Sequence, residues 1–225
     1  MKHALTVLLA ALLILSAVSC GPRLSGQAMV DNYVKLAPYG RIRVEAYLFD
    51  ARIYRQGKPT SVRLEMYRTD SMIALAGRGY LGKGALKGLI TRDSVVIYFP
   101  STNEYIRSGR NEFLSSASCT GGFERLHLEN LLTNLPNEEQ LAPAAMDGSV
   151  DNDRAEYSII WPDCDWHLDL RYRERDHNWR IDRVDFDDGA DIRFKAETRT
   201  IKTNTEVDRE RFQVEIPVDA VPFNL

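Results

Sequence analysis

The feature that most constrains this chain is a strict alternation of apolar and polar residues along much of its length. Arg41–Leu48 reads R-I-R-V-E-A-Y-L and sets Ile42, Val44, Ala46 and Leu48 on one face. Ser61–Tyr67 repeats the scheme, with Val62, Leu64 and Met66 set against Arg63, Glu65 and Tyr67. Successive side chains of a strand point to opposite faces, so this pattern gives one dry and one wet face, as in antiparallel sheet.

The same period runs on. Ser94–Phe99 is a predicted strand ended by Pro100, and Ser101–Asn103 turns the chain back into Glu104–Arg107. Further strands are predicted at Glu156–Trp161, Trp166–Arg173, Asn178–Phe186, Asp191–Thr203 and Arg211–Ile216. Polar turns at Glu174–His177, Asp187–Gly189 and Asn204–Asp208 separate them. Two helices interrupt the series. Ala28–Leu36 places Met29, Tyr33 and Leu36 on one side before Pro38 and Gly40, and Phe123–Leu132 gathers Phe123, Leu126, Leu131 and Leu132 before Asn134 and Pro136. Residues 137–149 read as an acidic loop containing proline. The expected class is mainly β within α+β, an antiparallel sheet of about ten or eleven strands with a terminal and an inserted helix. A sheet that large must curl or split. Two helices cannot cover its whole apolar face, so it either closes into a barrel or leaves a cavity lined by that face.

The start of the chain is separate from this domain. MKHALTVLLAALLILSAVSC has a short basic end, an apolar run from Ala4 to Leu15 and then small residues, the organisation of a secretory signal. The run falls short of the ~20 apolar residues of a membrane span. Cys20 after the small residues resembles a bacterial lipobox, although Ala17 stands where such signals usually have leucine. The resemblance implies that 1–19 is removed and that Cys20 is lipidated. It also implies that 20–28 is a tether, with Gly21 in place of an inner-membrane-retaining aspartate, and that 29–225 is a single domain. Several acyl chains on one cysteine anchor a protein stably, where one alone is marginal. The alternative is an ordinary signal peptide with an incidental cysteine.

The 29 basic and 32 acidic side chains are interspersed, with no basic stripe to suit nucleic acid. Cys119 and Cys164 would meet an oxidising compartment, where two cysteines tend to pair. Two buried thiols are the alternative, and no neighbouring ligand gives either cysteine a zinc spacing. Gly77–Gly84, GRGYLGKG, approaches a nucleotide-binding loop, but Gly84 stands where the hydroxyl residue belongs. The sequence after it reads as strand rather than helix. A hairpin connection is therefore expected, with Tyr80 and Leu81 at its tip, and no nucleotide partner. His127, His167 and His177 are scattered, no G-x-S-x-G elbow occurs, and no enzyme activity, cofactor or metal is expected. Asp185, Asp187, Asp188 and Asp191 gather around Gly189 without the order of a calcium loop.

Lys58-Pro59 before V-R-L-E-M-Y, and LITRDSVVIYFPSTNEYI further on, resemble the LolA/LolB lipoprotein-carrier superfamily. That family shows D-G-x-x-x-x-x-Y-x-P-x-x-x-Q/E. Tyr98, Pro100 and Glu104 match its Y-x-P-x-x-x-Q/E part here, whereas Asp93 stands two residues closer to Tyr98 than the pattern has it and Ser94 takes the place of the glycine. The closing RFQVEIPVDAVPFNL is similar to the family's last strand, and the likeness extends over most of Tyr33–Val218. It implies an open half-barrel with a helical lid and an acyl-binding cavity, and it puts Lys58 at the cavity mouth. By analogy it puts Leu81, with Tyr80, on a protruding loop. The expected lining is Val44, Ala46, Leu48, Val62, Leu64, Met66, Ile97, Phe99, Leu168, Leu170, Ile192 and Phe194. The expected role is an outer-membrane lipoprotein facing the periplasm that takes acylated cargo, whether lipid or lipoprotein. The alternative is an accessory lipoprotein of the same fold, with a packed core, that binds another envelope protein.

Overall fold

The structure, a computed structural model, describes residues 29–32, 40–55, 57–79, 82–110, 131–136, 144–190 and 192–223. Fourteen strands make up its framework: β1 (Met29–Asn32), β2 (Arg41–Arg55), β3 (Lys58–Arg68), β4 (Met72–Arg78), β5 (Gly84–Thr91), β6 (Ser94–Phe99), β7 (Glu104–Gly109), β8 (Ala145–Asp151), β9 (Arg154–Trp161), β10 (Trp166–Arg175), β11 (Asn178–Asp187), β12 (Ile192–Asp208), β13 (Glu215–Pro217) and β14 (Val221–Pro222). Twelve form one sheet in the order β14-β7-β6-β5-β4-β3-β2-β12-β11-β10-β9-β8. The sheet is therefore two antiparallel meanders, β2–β7 and β8–β12, joined where β2 pairs with β12. It does not close: β8 and β14 lie at opposite ends of the order and are not paired with each other.

This is the large antiparallel sheet expected, with corrections. Residues 145–149, the end of the stretch read as loop, belong to β8. Asn204–Asp208, read as a turn, continues β12, which absorbs the extra residues as register shifts between Lys202 and Thr205. A bulge lets a strand stay paired while carrying an unmatched residue, which is why polar residues there did not end it. Met29–Asn32, read as helix, pair as β1 with Glu215–Pro217, so tertiary pairing outweighs a weak local helical preference. Arg211–Ile216, read as one strand, is a 3₁₀ turn at Arg209–Phe212 followed by β13. Of the helix expected over Phe123–Leu132, only Leu131 and Leu132 fall within the described residues.

The strands that enter and leave Gly77–Gly84, β4 and β5, pair antiparallel as a hairpin. Gly77 and Arg78 end β4, Gly79 and Lys83 are joined by an N–H···O bond of 2.9 Å, and Gly82 takes φ +71°. Gly84 starts strand β5, where a phosphate-binding loop would need a helix N-terminus. Asp176 and His177 both have positive φ, the backbone of the two-residue turn that best fits the twist of the β10–β11 hairpin.

Two apolar cores lie on opposite faces of the sheet. The larger lies on the concave face and draws Tyr47, Phe49, Ala51 and Ile53 from β2, with residues from every strand of the sheet except β14 and with Leu131 and Leu132. The smaller lies on the convex face under the C-terminal segment, where Phe212, Val214 and Ile216 cover Val44, Met72, Ala74, Leu89, Val96 and Tyr98. β2 serves both cores. Its apolar residues switch phase around Ala46–Phe49, so even positions are buried before the switch and odd positions after it.

Candidate functional site

The larger core lines the concave face of the sheet as an apolar trough, and most of its residues are buried. Antiparallel partners share a face, so the register carries the lining from strand to strand. Phe49 stands opposite Leu64, Tyr47 opposite Met66 and Ala51 opposite Val62. Met66 meets Leu75, Ile97 meets Ile106, and Phe194 lies beside Ile53. In the second meander Leu168 stands between Ile159 and Phe186, and Leu170 between Tyr157 and Val184. Trp166 packs edge-on to Phe186 with centroids 5.9 Å apart, and Tyr157 edge-on to Tyr172 at 6.1 Å. At the β7 edge, Phe223 closes on Phe99 at 6.4 Å.

Of the expected lining, Val62, Leu64, Met66, Ile97, Phe99, Leu168, Leu170 and Phe194 share this face. Val44 and Ala46 do not, because they belong to the convex core. Leu48 stands opposite Glu65 and has the parity of Val44, so it too faces away from the trough. The expectation took the alternation of Arg41–Leu48 as one phase, whereas the trough uses the second phase that begins at Tyr47. The missed residues Tyr47, Phe49, Ala51 and Ile53 were marked by that second alternation. Ile192 pairs with Arg55 in β12, and its side chain lies outside the described residues. Lys58 is exposed at the β2–β3 hairpin, far along the strands from Glu45. Cys20, Tyr80, Leu81 and Cys119 lie outside the described residues, as does the side chain of Cys164.

One end of the trough is polar. Only Arg183–Asp187 of β11 pair with β12, so Asn178–Asp182 splay away. The freed backbone is met from both sides. The Ile181 amide donates to the Leu132 carbonyl at 3.0 Å, and the Thr198 hydroxyl donates to the Ile181 carbonyl at 2.7 Å. The splay opens a cleft of about 810 Å³ whose lining includes Glu45, Arg68, Arg175, Asn178 and Arg180. Glu45 ties it together, accepting from Arg68 Nη1 at 2.7 Å and Arg180 Nη2 at 2.9 Å. The Tyr47 hydroxyl donates to the same carboxylate at 3.2 Å. Burial first, and the Glu45 carboxylate second, hold the Tyr47 phenol protonated well above its ordinary range. Nothing in the sequence pattern joined Glu45 to Arg180, because the contact depends on the splay.

The convex face of the second meander is charged. Asp185, 8% exposed, receives Lys195 Nζ at 2.8 Å and Arg193 Nε and Arg183 Nη2 at 3.2 Å each. Burial works to raise its pKa, but hydrogen bonds from Arg193 and Lys195 outweigh this and hold it below the usual carboxylate value. A depressed folded pKa contributes stability above the unfolded value of about 3.9, and that stability is lost as pH falls through the folded pKa. Asp185→Asn is therefore expected to flatten the fall of Tm below about pH 4, read from melts between pH 6 and 2. Asp187 and Asp188 accept the amides of Gly189 and Ala190 at 2.9 and 3.0 Å, so they serve the turn itself. Asp191 lies outside the described residues. Among the described residues, no group of three or more His, Cys, Asp or Glu is placed to hold a metal.

Ser158, His167 and Asp169 also meet on this face. Ser158 Oγ and Asp169 Oδ1 lie 2.8 and 2.9 Å from the same atom, His167 Nε2. A nucleophile–base–acid relay needs serine and aspartate on opposite ring nitrogens, so this arrangement does not activate the serine.

No protein-family model matches the chain, and no curated protein matches it in sequence. Several solved structures are similar to it. One is a DUF1329-family protein from Desulfovibrio piger, 10% identical, with 72% of this chain and 86% of that one covered and a TM-score of 0.40. A second is an uncharacterized conserved protein from Thermus thermophilus, 12% identical over 78% and 89% of the two chains, with a TM-score of 0.43. A third is a Vibrio parahaemolyticus domain provisionally named for outer membrane lipoprotein sorting. It is 11% identical over 72% and 86%, with a TM-score of 0.38. At these TM-scores the likenesses lend no weight to any functional reading.

Proposed function

We propose that this chain is a lipoprotein of the bacterial envelope whose concave trough takes up the acyl chains of a lipid or lipoprotein and passes them on without chemistry. The observation that supports this most is the unclosed sheet with one apolar concave face. Met66, Leu75, Leu168 and Trp179 are only partly buried there, against a fully buried floor. Alkyl chains laid on such a face leave water at about 0.8 kcal/mol per CH₂, so a chain of ordinary length has ample driving force without a polar anchor. The lipobox-like start and the resemblance to LolA/LolB carriers in the strands around Lys58 and Tyr98 support the same reading. They also favour an outer-membrane site facing the periplasm, with Cys20 as the anchor.

A second reading has its own observation. Ile97, Phe99, Ile159 and Tyr172 are at most 3% exposed, as in a filled core. A packed trough would suit an accessory lipoprotein that binds another envelope protein through its surface. Native mass spectrometry and solvent extraction of the exported protein separate the two. The carrier reading expects a stoichiometric acyl adduct that is lost in Met66→Glu and kept in Leu48→Lys, which faces Glu65 on the other side of the sheet. A clean mass after incubation with phospholipid and acylated peptide would favour the packed alternative.

A further inference from the structure

The trough contains one polar atom that its own surroundings do not explain. Tyr172 lies on the concave face of β10, opposite Ala155 on one side and Ile181 on the other. Its side chain is fully buried, and its hydroxyl has no hydrogen-bond partner among the described residues. A buried hydroxyl without a partner is costly, and native proteins rarely carry one without a use. The other orphaned polar side-chain atoms, such as Arg68 Nε and Ser101 Oγ, belong to residues that reach solvent.

The position of this hydroxyl suits a ligand. Strand side chains stand roughly perpendicular to the sheet, so the ring carries the hydroxyl away from the β10 backbone into the larger apolar core, where a ligand would reach it only by parting that packing. The edge-on Tyr157 ring fixes its orientation from the β9 side. On the β11 side, the Ile181 amide and carbonyl are already bonded to Leu132 and Thr198 and do not compete for it. Burial keeps the phenol protonated, so it is a donor at any physiological pH. A donor set in an apolar trough selects a lone acceptor on an otherwise apolar ligand.

We propose that the Tyr172 hydroxyl donates to the carbonyl oxygen of an acyl ester or amide whose chain lies along the trough. This rests on the acyl-binding reading above and adds what that reading lacks, a fixed depth for the head of the chain. An acyl chain would be held with its carbonyl beside β10, and a plain alkane would not be held in register.

The test uses the full exported chain, its Tyr172→Phe variant, and two probes delivered from cyclodextrin, methyl palmitate labelled with ¹³C at the carbonyl and hexadecane. The wild type is expected to bind the ester and to shift its carbonyl stretch to lower frequency. Tyr172→Phe is expected to lose that shift and to bind the ester roughly tenfold more weakly, with hexadecane unchanged. Without ligand, the variant should melt no lower than wild type, because the substitution removes an unpaired buried group. A lower melting temperature would show that the hydroxyl has a partner within the chain and would overturn the proposal. So would an ester that binds without a carbonyl shift, or equally well to the variant, while the trough itself remained a binding site. If neither probe binds the wild type, acyl binding fails and this inference fails with it.

Discussion

Phe99→Ala is expected to destabilise the protein by about 3–5 kcal/mol, the range for truncating a fully buried phenylalanine. Phe99 is 0% exposed and sits where the trough meets its β7 edge, between the β6 floor and the Phe223 ring. Its loss removes packing from both sides, and Pro100 just after it limits how far the strand can shift to refill the space. Urea titration of both proteins at equal m gives the difference directly. Phe223→Ala and the double variant complete a cycle in which the pair should couple by about 0.5–1.5 kcal/mol. A loss below about 1 kcal/mol for Phe99→Ala would mean that this end of the trough is slack in solution, contrary to the packing described.

Glu45→Ala has the second large effect, through charge rather than volume. Arg68 and Arg180 have side chains 19% and 13% exposed, and the same carboxylate neutralises both. Without it two guanidinium groups face one another in a partly dry cleft, and the Tyr47 hydroxyl loses its acceptor. Removing one member of a fully buried pair costs about 3–5 kcal/mol, and partial exposure here reduces the expectation to about 2–4 kcal/mol. Glu45→Gln keeps an acceptor and should cost less. Added salt should recover part of the loss in both variants, because it screens the exposed share of the arginine repulsion. A Glu45→Ala protein as stable as wild type would show that the cleft is wet enough to solvate both arginines.

The meanders themselves were legible in the sequence because their signal is local. Ser94–Phe99 with Pro100 after it, and the polar turn at Glu174–His177, announce themselves within a few residues. The trough was legible in part. Val62, Leu64, Ile97, Phe99 and Leu170 followed directly from alternation. β2 misled because both of its faces are buried in different halves of its length, and alternation reports a period without saying which cover lies on which side. Which face Val44 meets is decided by Phe212, Val214 and Ile216, more than 160 residues further along the chain. β8 escaped notice for the opposite reason: as an edge strand it is mostly exposed, and its composition is that of a loop. The Glu45 clasp and the Tyr172 hydroxyl depend on where strands diverge and on what fails to meet a partner, which no residue pattern encodes.

The order of the strands has a consequence for where this chain can be cut. In many sheets the first and last strands lie at the margins, and trimming a terminus shaves an edge. Here the first long strand, β2, and the last, β12, are central neighbours, while β7 and β8 from the middle of the sequence lie toward the two margins. A chain shortened from its carboxyl end past Asp208 begins to lose the seam between the meanders, register by register from Arg41 towards Arg55. The connection between β7 and β8, by contrast, could be severed without opening any strand pair among the described residues. For this topology the ends of the sequence are the keystone and its midpoint is the periphery.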